Sequence, residues 1–82
     1  MTFKRWLDRE TAKACPDPAA RVVDVLAARA EIRRTTATVA GVSDRLLQTL
    51  YRGAPTSRAF AERVSAATGG AVTVADLTRG AA

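Results

Sequence analysis

Five arginines, Arg33, Arg34, Arg45, Arg52 and Arg58, fall in one stretch of this chain against a single carboxylate, Asp44, so residues 33–58 carry a net charge of +4. Guanidinium groups are planar forks of N–H donors that suit oxyanions. A cluster of them points to a polyanionic partner, most often nucleic acid. The rest of the chain does not share the excess: residues 1–17 carry +1, while residues 18–32 and 59–82 are neutral. Nearly all of the overall +5 therefore belongs to one segment. Composition excludes most other chemistry. With no His, the Ser-His-Asp, Cys-His and His-based acid–base schemes are absent. One Cys, Cys15, builds neither an internal disulfide nor, without His, a zinc site. No carboxylate pair has a spacing suited to catalysis. The expectation is a protein that is not an enzyme, with no metal, no cofactor and no small-molecule substrate.

The elements that must position these arginines can be read from periodicity and from helix punctuation. At 82 residues the chain is expected to form a single domain, with an N-terminal amphipathic segment at 1–16 and a helical core at 17–79. Of its 39 hydrophobic residues 18 are Ala, which leaves 21 larger apolar side chains for the core. Thr2–Ala14 reads as an amphipathic helix with Phe3, Trp6, Leu7 and Ala14 on one side. Pro16-Asp17-Pro18 interrupts it, with Asp17 as N-cap and Pro18 at the first helical position of a helix over about Pro18–Arg29. Val22, Val25 and Leu26 form its expected core stripe. A separate short helix, Arg33–Ala40, is expected to end at Gly41, although no Gly or Pro marks a break between Ala30 and Arg33. Ser43 caps the next helix, Asp44–Arg52, which stops at Gly53 before Pro55. Thr56 or Ser57 starts another helix to about Thr68, with Phe60, Val64 and Ala67 inward. Gly69-Gly70 stops it, Thr73 caps a last short turn pinned by Leu77, and Gly80-Ala81-Ala82 is expected to fray.

Two of these helices stand in a specific relation. Ala37 supplies a small residue where a following helix crosses closely, Gly41 tolerates the positive φ of a tight turn, and Val42 fills the space beneath it. Leu47 and Leu50 then clamp the second helix to the core. This spacing is the helix-turn-helix pattern.

The stretch Ala37–Ser43 with Leu47 and Leu50, and the ending Ala67-Thr68-Gly69-Gly70-Ala71-Val72-Thr73 leading to Asp76-Leu77, resemble the Cro/cI-like (XRE-type) helix-turn-helix repressors of phages and bacteria. The resemblance covers about Ile32 to Leu77 and departs at Thr36, where the family usually has a larger apolar residue. It implies an all-α fold: a small bundle of about five helices of the lambda-repressor-like DNA-binding kind, here with an extra N-terminal amphipathic helix. It also implies a sequence-specific regulator of transcription, a repressor, that places the helix Asp44–Arg52 in the major groove of double-stranded DNA. On this resemblance the base-reading residues are Asp44, Arg45, Gln48 and Thr49. Arg45 is matched to guanine O6 and N7, Gln48 to adenine N7 and N6, Thr49 to thymine, and Asp44 to cytosine N4 or simply to the helix dipole. Arg33, Arg34, Ser43, Arg52 and Arg58 are the phosphate-binding candidates. Leu46 and Tyr51 flank the helix and are expected to pack against the helix after it.

One such helix pair reads only a few base pairs, so a homodimer is expected on half-sites roughly 34 Å apart. Its apolar contact would come from Phe3, Trp6 and Leu7 or from the Leu77 region, unless the N-terminal segment covers its own core. The alternative reading is a protein-binding module on the same fold, an antitoxin or polymerase-associated factor, docking a protein partner through Phe3, Trp6 and Leu7. Neither a secretory signal nor a membrane span is expected. The start has no apolar run, and the uncharged stretch Val64–Ala75 is short and broken by Gly69-Gly70. With its lone Cys the protein is expected in the cytoplasm, associated with the nucleoid through DNA.

Overall fold

The computed structural model describes residues 1–80, and the expected fraying of Ala81 and Ala82 lies outside them. Five helices succeed one another: α1 (Phe3–Ala14), α2 (Val22–Ala40), α3 (Asp44–Tyr51), α4 (Arg58–Ala67) and α5 (Val74–Arg79). No strand occurs among the described residues, and the all-α bundle expected from the sequence is present.

Four of the five helices begin on a side-chain cap, and α2 is punctuated at its end by a glycine. Thr2, Ser43, Ser57 and Thr73 sit in extended backbone and accept the otherwise unpaired N–H of Arg5, Leu46, Phe60 and Asp76. Thr73 and Asp76 complete the reciprocal capping box. α2 ends at Gly41, whose φ of 70° is left-handed. The Gly41 N–H reaches Thr38 O and the Val42 N–H reaches Ala37 O, which satisfies two of the last carbonyls of the helix. The same pair of bonds closes α3 at Gly53-Ala54 and α4 at Gly69-Gly70.

The core is built from Phe3, Trp6 and Leu7 of α1, Ala37 and Ala40 of α2, Leu47 and Leu50 of α3, Ala61 and Val64 of α4, with Val72 and Leu77 closing one end. Thr11, one turn beyond Leu7, completes the buried stripe of α1. It hides its hydroxyl by donating to Leu7 O at 2.7 Å. Ala14, expected on that stripe, is exposed.

Four further expectations are corrected. The helices expected at Pro18–Arg29 and Arg33–Ala40 are one continuous α2, because nothing in Ala30-Glu31-Ile32 interrupts helical hydrogen bonding. Asp17 does not cap it. Its carboxylate accepts from Ala19 N in a local turn, and α2 starts later, at Arg21, without a side-chain cap. The stripe Val22, Val25 and Leu26 is exposed, Val22 to 75%, since the first two turns of α2 bury no residue. On α4 the inward face is Ala61, Val64 and Thr68, not Phe60, which is 41% exposed. Alanine at 61 lets α4 approach closely, and Phe60 lies outside against the Arg63 guanidinium.

Candidate nucleic-acid interface

The basic segment of the sequence corresponds to the second half of α2, the turn Gly41–Ser43, α3 and the loop leading into α4. Buried Ala37 and Ala40 present only methyl groups where the chain doubles back. Val42 is half-buried against the core, and Leu47 and Leu50 pin α3 by its inner face. With those two leucines inside, helical periodicity turns Asp44, Arg45, Gln48, Thr49 and Arg52 away from the core. Arg45 and Arg52 are exposed, while Asp44, Gln48 and Thr49 are half-buried.

Asp44 is the hub of this surface. Its carboxylate accepts from Arg33 Nε at 2.7 Å and Nη2 at 3.2 Å, a fork-on-carboxylate pair that ties α2 to the first turn of α3. Gln48 Nε2 donates to the same carboxylate at 3.0 Å from one turn further along. The Arg33 hydrogen bond holds the Asp44 carboxyl below the usual carboxylate range, against the opposing cost of desolvation, and Gln48 adds to the lowering. Placed at the helix start, the charge also suits the dipole. Thr49 donates its hydroxyl to Leu46 O at 2.7 Å, which leaves its methyl and a lone pair for other contacts.

The expected phosphate contacts are arranged unequally. Arg34 is exposed, and Ser43 carries out its capping of α3 on an exposed turn. Arg52 is exposed and makes no side-chain hydrogen bond among the described residues. Arg33 is half-buried and turned to Asp44. Arg58, a cation at a helix start, is answered by Glu62 one turn later at 3.2 Å, with both groups open to solvent.

Sequence reasoning missed a second polar chain beside the first. Tyr51, expected against α4, sends its hydroxyl to α1 and α2: it donates to Asp8 Oδ1 at 2.8 Å and accepts from Arg29 Nη1 at 3.0 Å. The Arg29 guanidinium lies 5.0 Å from the Tyr51 ring centroid. Burial, and then the Asp8 carboxylate, push the Tyr51 phenol up. No local pattern marked it, since its three residues lie on three different helices. Arg29 continues the Val22–Val25–Leu26 spacing, but that stripe is exposed, so its place there did not by itself demand a polar partner. Compared with family models, with curated proteins and with solved structures, the chain matches none.

Proposed function

We propose that this chain binds double-stranded DNA in a sequence-dependent manner, with the outward face of α3 in the major groove, and that it regulates transcription as a repressor. The observation that carries this reading is the outward face of α3 itself. An exposed Arg45, a braced Gln48 and an available Thr49 stand on a helix fixed at its start by Ser43 and at its inner face by Leu47 and Leu50, inside the only strongly basic segment of the chain.

The chemistry of each group fits a base edge. Arg45 offers two parallel N–H donors to guanine O6 and N7. Gln48 spends one amide hydrogen on Asp44 and keeps the other for adenine N7, with its carbonyl free to accept from N6. Bracing by Asp44 fixes the amide orientation that such readout needs. Asp44 and Arg33 are on this reading supports for the reader, and Arg34, Ser43, Arg52 and Arg58 hold the backbone phosphates.

Reading an operator takes two copies. Phe3, Trp6, Leu7 and Leu77 are buried in the chain's own core, so the contact between copies falls instead to the exposed Val22, Val23, Val25 and Leu26 of α2, in a segment with no net charge to repel a like chain. The same burial removes the apolar side of α1 as a docking surface for a different protein, which favours the DNA reading over a protein-binding module. Among the described residues no helix is long and apolar enough to cross a membrane, and a regulator of this kind works in the cytoplasm.

Selection of duplexes from a random pool at physiological salt tests the reading. Wild-type protein is expected to enrich one motif with two related halves. A pool that stays random through repeated rounds, with protein still bound, would leave only unspecific charge attraction.

A further inference from the structure

Between the middle of α2 and the last turn of α3 lies an open cleft of about 310 Å³, lined by Arg29, Arg33, Gln48, Tyr51 and Arg52. Three guanidinium groups share this space, and the carboxylates nearest to it are already engaged. Asp44 is held by Arg33 and Gln48, and Asp8 by the Tyr51 hydroxyl. A guanidinium has five N–H donors, and none of the three is exhausted. Arg29 uses Nη1 on Tyr51, Arg33 uses Nε and Nη2 on Asp44, and Arg52 uses none within the described residues. Arg29 is also half-buried and stacked against the Tyr51 ring, so its fork is held in place before any ligand arrives.

We propose that this cleft is a phosphate site, in which Arg29 and Arg52 grip the oxygens of one phosphate group and Arg33 Nη1 completes the shell. Tyr51 does not touch the phosphate through a donor, since its hydrogen goes to Asp8. Its part is to position Arg29. Where the phosphate belongs to a DNA strand beside α3, the site rests on the reading above and adds Arg29 to the interface. A free phosphate or a nucleotide presents the same oxygens, and the two sources are separable.

The test monitors the arginine Nε–H signals of the full chain by NMR during titration with inorganic phosphate, with sodium chloride matching the ionic strength. Duplex affinity is measured in parallel as a function of salt. The Arg29 and Arg52 signals are expected to move with phosphate and not with chloride. Arg29→Gln and Arg52→Gln are each expected to weaken duplex binding by roughly tenfold and to lower the slope of log affinity against log salt by about 0.9. Arg52 is exposed, so its variant leaves the fold intact, and the melting temperature of Arg29→Gln separates lost binding from lost structure.

Signals that move with phosphate while both variants keep wild-type duplex binding support the site and assign it to a free ligand. Wild-type protein that binds no duplex overturns the DNA reading but leaves the phosphate arm to decide the cleft. Equal responses to chloride and phosphate, together with unchanged salt slopes in both variants, overturn the site even if α3 reads sequence.

Discussion

Asp44 receives three hydrogen bonds from Arg33 and Gln48, and its protonation would loosen all of them together. Its folded-state pKa lies below the ordinary value of 3.8 because the charged form is the one that Arg33 stabilises. A depressed carboxyl contributes stability above its unfolded pKa, near 3.9, and that contribution disappears as pH falls through the folded value. Wild-type protein is therefore expected to lose stability more steeply than Asp44→Asn between about pH 5 and pH 2, as measured by denaturant unfolding at each pH. Parallel curves would show that the pair contributes nothing. Breaking the pair from the other side, Arg33→Ala is expected to cost about 1 kcal/mol, the scale of a half-exposed charged hydrogen bond. Neither the pair nor the Arg29–Tyr51–Asp8 chain was legible from sequence. Both join residues on different elements, and periodicity says which residues share a face without saying what that face meets.

At the scale of elements, the caps were the most legible feature, because each depends on a few neighbouring residues. Ser43, Thr73 and the glycines at 41 and 69 act where the sequence places them. Gly41 holds φ 70° with open space around its missing Cβ, so substitution costs only backbone strain. Gly41→Ala is expected to destabilise by about 1–2 kcal/mol, and Ser43→Ala by about 1 kcal/mol through loss of the cap, both measured by thermal or denaturant unfolding. Wild-type stability in Gly41→Ala would mean that the turn relaxes to another conformation. The join between residues 30 and 33 was less legible. The helix-turn-helix spacing from Ala37 to Leu50 suggests a short first helix and hence a break there, while local chemistry contains no breaker and the helix runs on.

For the molecule as a whole, the thin supply of large apolar side chains is divided in an uneven way. Phe3, Trp6 and Leu7 complete the core, so α1 belongs to the domain, whereas Val22, Val23, Val25 and Leu26 are left outside on the first turns of α2. Sequence pattern assigned Val22, Val25 and Leu26 correctly to one helical stripe, but the existence of a surface opposite it is a tertiary fact. Val22→Ser with Leu26→Ser is expected to leave monomer stability within about 0.5 kcal/mol of wild type, as for other exposed positions. Sedimentation should show that the same pair of changes weakens self-association. A loss of several kcal/mol would return these residues to a core. Sequence reading by α3 is tested most directly by the ratio of affinities for a selected duplex and a shuffled one at physiological salt, in wild type and in Arg45→Ala and Gln48→Ala. The expected result is that each variant loses about 1–3 kcal/mol on the selected duplex and much less on the shuffled one. Equal losses on both duplexes, or none on either, would contradict sequence reading by this helix.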